Sequence, residues 1–173
     1  MTIVPGRYHS MQRWGLKIPV QGNRRMVSNA RSETLLHKVS FRSLQRCAFV
    51  ADGWFEWQHS PGGKQPWYHH GGGRLLYFAG VYEPENGCVI VTEPAADSLR
   101  HIHCRQPVWL DEVDLEPWLT QGAAPKRSQS LTMTCHPVAK TVGDARIDEP
   151  GLIKPLPRDR SDTRQTADLF AER

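Results

Sequence analysis

The stretch Arg46–Gln58, RCAFVADGWFEWQ, sets a single carboxylate, Glu56, among Trp54, Phe55 and Trp57. Burying an ionised carboxylate among indoles is costly, so Glu56 either points to water or is held by the fold for chemistry. If the stretch is a strand, Trp54 and Glu56 share one face and Phe55 and Trp57 the other. Desolvation beside an indole raises a carboxyl pKa towards neutrality, where the group can both give and take protons. A second such run is HIHCRQP, in which the His103 imidazole can move protons near neutral pH or satisfy backbone carbonyls at a helix end. Asn29 in SNARSET carries an amide that donates and accepts hydrogen bonds without adding charge, or is a turn or cap residue. Arg31, two residues on, has a guanidinium suited to gripping phosphate, or is a solvated surface charge. Trp14 and Trp57 can stack on splayed bases or serve as core.

Metal chemistry is weighed on His69, His70, His101, His103, Cys104, Cys135 and His136, which are ligand types. None falls in the C-x-x-C or H-E-x-x-H spacing of zinc signatures. The expectation is no metal and no cofactor. The four cysteines, Cys47, Cys88, Cys104 and Cys135, lack paired spacing and read as free thiols of a reducing compartment.

The elements that must position these groups read mostly as strands. CAFVAD, GWFEWQ, QPWYHH, RLLYFAGVYEP and GCVIVTE are β-type runs separated by the turn chemistry of SPGGK, GGG and PENG. SPGGK is expected to close a hairpin between the second and third of them. The spacing of Leu35, Leu36, Val39 and Leu44 predicts a helix across SETLLHKVSFRSLQR, with Ser32 as a cap. TEPAADSLRHIH predicts a short helix with Pro94 in its first turn, and DEVDLEPWLTQG another that stops near Gly122. SLTMTCHPV reads as a late strand. The sum is a mixed α+β fold built on a largely antiparallel sheet or barrel, with one domain over residues 1–155 and a polar, disordered tail over 156–173.

The 173 residues carry a net charge of +4, with ordinary hydrophobic (39%) and charged (23%) fractions for a soluble globular protein. The charge is unevenly spread: residues 1–46 hold nine basic side chains and one acid, Glu33, while the rest is net acidic. A basic N-terminal third suggests a polyanionic partner, nucleic acid foremost, or a solvated face. No apolar run reaches a membrane span and the N-terminus lacks a signal-peptide core. A cytoplasmic location is therefore expected, nucleoid-associated when bound to DNA, with no membrane partner.

Seven segments, WGLKIP (14–19), SNARSET (28–34), RCAFVADGWFEW (46–57), KQPWY (64–68), FAGVYEP (78–84), VIVTEPAADSLRHIHCRQPV (89–108) and HPVAKTVGD (136–144), together resemble the SRAP family, the SOS response-associated peptidases that process abasic sites in DNA. They occur in the family's order. The resemblance implies a monomeric single-domain protein, a β-barrel-like sheet flanked by short helices, acting on the aldehyde of abasic sites in single-stranded DNA, with DNA–protein cross-linking, peptidase and lyase activities. It implies Glu56, His103 and Asn29 as catalytic residues, and Arg31, Trp57, Trp14, Thr92 and Pro5 as the DNA-contacting set. The family's reacting group is a cysteine directly after the initiator Met, in an MCGRF opening, whose amine and thiol close a thiazolidine on the aldehyde. Here position 2 is Thr2 and no CGRF occurs, so the chain is expected either to start upstream or to be an altered paralogue, and the activity is left open. Two further departures are Cys104, where the family has Asp, and Gln106, where it has Met.

Two rival readings follow from the same residues. One is a non-covalent binder of single-stranded DNA that has lost the terminal cysteine. The other has the α-amine of Thr2 forming a Schiff base, without a sulfur to close the ring.

Overall fold

The computed structural model describes residues 1–20, 22–121, 125, 128 and 132–157, apart from the side chains of residues 7–10 and 20. The chain opens with β1 (Thr2–Val4), β2 (Arg7–Ser10), β3 (Leu16–Val20), β4 (Asn23–Val27) and β5 (Asn29–Arg31). The aromatic-rich middle forms β6 (Gln45–Ala51), β7 (Gly53–Ser60), β8 (Gly63–His70), β9 (Leu76–Glu83) and β10 (Gly87–Pro94). Short strands β11 (Arg105–Pro107) and β12 (Trp109–Leu110) follow, and β13 (Thr134–Pro137) comes last. The helices are brief: α1 (Val39–Arg42) and α2 (Glu112–Gln121). The α+β, largely antiparallel reading holds, but among the described residues the strands form three sheets and not one closed barrel.

The principal sheet has eight strands in the order β11-β10-β9-β6-β1-β2, with β12 added beside β9 and β5 beside β10. Every pairing in it is antiparallel except β5 with β10, which is parallel and sets Asn29 opposite Ile90 and Arg31 opposite Thr92. Alternation then sorts the sheet by face. Ala30, Ala79, Val81, Val89 and Val91 join Leu16, Leu35, Phe41, Val108 and the α2 residues Trp118 and Leu119 in the larger core. Phe78 points the other way with Trp109, which pairs with it across β12–β9, and packs with Leu99, Phe49 and Trp54. The second sheet, β13-β8-β7, covers this other face. Its Trp54 meets Phe78 edge-on at 5.6 Å and Trp109 at 6.0 Å. The third, the β3–β4 ribbon, anchors by Leu16 and Ile18 and leaves Lys17, Arg24 and Arg25 exposed.

Two glycines are required by close approach. Gly87 has φ +121°, and a Cβ there would lie 2.2 Å from the Gly15 carbonyl oxygen. The neighbouring chain crosses at this point through Gly15 N–H to Cys88 C=O and Cys88 N–H to Arg13 C=O. At Gly80 a Cβ would lie 2.5 Å from the Phe49 ring.

The helix over 32–46 is broken: a 3-10 turn at Ser32–Thr34 and α1 replace it, and Ser32 does not cap, its hydroxyl bonding Glu33 instead. Arg31 and Lys38, the residues preceding the two pieces, are extended, so no continuous helix forms through them. The second expected helix is absent as well. Pro94 ends β10, and 95–104 closes into turns, because Ala95 N–H is taken by Cys104 C=O and Ala96 N–H by the Gln106 amide oxygen at 2.8 Å. The SPGGK hairpin joins β7 to β8 as expected. Of the tail, 158–173 lies outside the described residues, as does Gly122.

Candidate active site

Where β7 crosses the ends of β10, β5 and β11, a cavity of about 330 Å³ opens between the principal sheet and the second sheet. Pairing register explains its lining. Asn29 and Arg31 stand beside Ile90 and Thr92 through β5–β10, and Thr92 stands beside Pro107, with Arg105 two residues away, through β10–β11. All of these share one face of the sheet, and all line the cavity, together with Phe78, Trp14 and, from β7, Trp54, Phe55 and Glu56. His103 enters from the loop that leads into β11.

Thus the structure brings Glu56, His103, Asn29, Arg31, Thr92 and Trp14 to one cavity, though they are drawn from five separate segments. Trp57 is not among the lining residues; strand alternation turns it away from Glu56. Pro5 lies in a different groove, with Leu36, Leu44, Arg42 and Leu119. Trp14 is 60% exposed, its indole N–H donating to Ser28 C=O at 2.9 Å, which fixes the ring at the mouth with its faces free of the core.

Glu56 and His103 form the chemical centre. Glu56 Oε2 lies 3.4 Å from His103 Nδ1. Burial raises the Glu56 pKa above its ordinary value, while the His103 ring and the Trp57 N–H, which bonds the carboxylate, pull it down. His103 Nδ1 also lies 3.0 Å from Arg105 C=O and 3.2 Å from Arg105 N–H. Protonated, Nδ1 donates to the carbonyl and faces the carboxylate; unprotonated, it accepts from the amide N–H, and a protonated Glu56 can donate to it. Both positions of the proton are therefore provided for, which is what a general acid–base pair needs. The backbone of Arg105 supplies the orientation that an Asp at position 104 would otherwise give; Cys104 itself is exposed.

Arg105 was missed from the sequence. Its guanidinium makes a two-pronged pair with Glu33, at 2.6 and 3.0 Å, and donates to Thr92 C=O and Oγ1 at 2.6 and 3.2 Å. The Arg105 bonds hold the Glu33 carboxyl down at about 2. The signal was present in the parity of β11, where Arg105 and Pro107 share a face, but a three-residue strand is too short to read. Gln106, between them, also lines the cavity; it is 2% exposed and ties Glu93 to Ala96 through both ends of its amide. His69 is a buried ring stacked at 4.6 Å on Trp54, and burial pushes its pKa down to about 4. Among the described residues no group of three or more His, Cys, Asp or Glu is placed to hold a metal. None of the four cysteines lines the cavity: Cys47 and Cys88 are buried in the sheet, and Cys135 is half-buried.

Residues 4–145 match the family model for SOS response associated peptidase, SRAP. The chain belongs to the SRAP family. Among similar proteins is the abasic site processing protein HMCES of Gallus gallus, 31% identical over 169 residues, covering 75% of this chain and 50% of that protein. The abasic site processing protein YoqW of Bacillus subtilis is 32% identical over 166 residues, covering 82% of this chain and 74% of that one. The abasic site processing protein YedK of Escherichia coli is 28% identical, covering 74% and 67%. This SRAP chain thus spans half the length of the chicken protein. A crystal structure of a protein from Bacteroides thetaiotaomicron, 21% identical, superposes with a TM-score of 0.72 over 90% of this chain and 80% of that one, a likeness of fold.

Proposed function

We propose that this SRAP chain processes abasic sites in single-stranded DNA, its cavity receiving the ring-opened sugar aldehyde. The observation that carries this reading is the Glu56–His103 pair, 3.4 Å apart, in a cavity that also holds Asn29 and Arg31. It is supported by the names of the relatives, all abasic site processing proteins. Among the described residues, none lining the cavity carries a free amine, so an amine brought to the aldehyde from outside this lining would give a carbinolamine, which must lose its hydroxyl as water to become an imine. Glu56, whose pKa burial raises, protonates the leaving hydroxyl, and His103 exchanges the proton with it. Asn29 positions the sugar by its amide, Arg31 takes the adjoining phosphate, and Trp14 stacks on a base at the mouth. A single strand fits because only unpaired bases can splay onto such a ring. The protein acts as a cytoplasmic monomer.

A second reading, non-covalent binding, is favoured by the fact that no cysteine lines the cavity. Thr2 does not supply a substitute amine in the cavity: it is 2% exposed, paired in β1 with Phe49 of β6. The deciding test incubates the protein with a single-stranded oligonucleotide bearing one abasic site and resolves the products on a denaturing gel. A protein-linked or cleaved strand, reduced about 100-fold in rate in Glu56→Gln and His103→Gln, supports processing. Retention on a native gel without any denaturant-resistant or cleaved product supports the binder. Failure to prefer abasic over intact strands overturns the function.

A further inference from the structure

His103 sits on a loop, 95–104, whose base is tied by Gln106 to Ala96 N–H and to Glu93. The tip of that loop, at His101, is held from the opposite sheet. Gln58 Nε2 donates to His101 C=O at 3.1 Å. The Gln58 amide is itself fixed, because its Oε1 accepts the Trp67 indole N–H at 3.1 Å. Trp67 completes the contact by meeting the His101 ring edge-on at 5.8 Å. Apolar anchoring of the loop comes from Leu99 and Ile102, both buried.

Gln58 is two residues beyond Glu56 on β7, so both side chains leave the same strand face, about 6.8 Å apart along it. Trp67 stands opposite Glu56 in β8. The strand that carries the acid therefore also carries the tether of the loop that brings its partner imidazole. We infer that Gln58, locked by Trp67, is the positioning residue that sets the Glu56–His103 separation. Its amide accepts from an indole and donates to a carbonyl at once. A carboxylate here keeps the Trp67 bond but faces the His101 carbonyl with no donor. A thioether keeps the length and loses both bonds.

This inference rests on Glu56 and His103 forming the proton-transfer pair, and its test is independent of DNA. Carbon-13 NMR of the free protein follows the Glu56 carboxyl midpoint with and without His103→Gln, in three backgrounds: unaltered, Gln58→Met and Trp67→Phe. In the unaltered protein, removing the imidazole shifts the midpoint. In Gln58→Met and in Trp67→Phe that shift falls to about half or less, the mark of broken coupling between neighbours, while the melting temperature of at least one variant stays near that of the parent. A Gln65→Ala control, whose amide bonds Pro66 and Val138 carbonyls instead, keeps the full shift. An unchanged shift in a folded Gln58→Met or Trp67→Phe overturns the positioning role, as does the absence of any shift in the unaltered protein. Loss of coupling in a protein that leaves abasic DNA untouched upholds the tether and refutes the proposed function.

Discussion

Glu56 is half-buried with its pKa raised by that burial, and this has a thermodynamic consequence. The folded protein holds the Glu56 proton to higher pH than the unfolded chain does, so the stabilising contribution is full below the unfolded pKa and is lost as pH rises through the folded one. Glu56→Gln is therefore expected to raise the thermal midpoint at pH 8 by more than at pH 4, read by calorimetry at both pH values. Glu33 has the opposite sign. Its carboxyl, held at about 2 by Arg105, contributes stability above the unfolded value that is lost as pH falls towards 2. At this scale much was legible. A carboxylate flanked by tryptophans announces itself, and so do an amide and an arginine two residues apart. What was not legible was commitment: nothing local marks Arg105, and its engagement with Glu33 and Thr92 joins residues far apart along the chain.

Elements place these groups by register. Unbroken apolar runs located the central strands, because β6, β9 and β10 are covered on both faces. The N-terminal strands were unreadable, being short and, in β4, exposed along nearly the whole length, so little hydrophobic pattern marks them. Apolar spacing at Leu35, Leu36, Val39 and Leu44 imitated a helix where Leu35 and Phe41 anchor two separate turns in the core. Tertiary contact overrode local propensity there. Gly87 offers the sharpest test. Gly87→Ala places a methyl against the Gly15 carbonyl in a backbone conformation that L residues avoid, and should cost about 2 kcal/mol or more in urea denaturation. Its effect should extend to the cavity, because Trp14 is bridged to the neighbouring Cys88.

For the molecule as a whole, the uneven charge seen in the sequence resolves into several sites. Arg31 faces the cavity, and Lys17, Arg24 and Arg25 line the ribbon. Arg46 is buried with its guanidinium 4.7 Å over the Trp118 ring, a structural cation that composition alone assigned to a surface. Affinity for a single strand should fall steeply with salt, and Arg31→Ala should reduce the slope of log K against log salt by about 0.7, one phosphate contact fewer. The parallel pairing of β5 with β10 joins residues 29–31 to 90–92 and so closes a long stretch of chain before Asn29 can meet Thr92. Such distant closure makes assembly slow and late. Competence for chemistry should consequently appear only with the last, slowest phase of refolding, lagging behind the β7–β8 hairpin, whose partners are near neighbours along the chain.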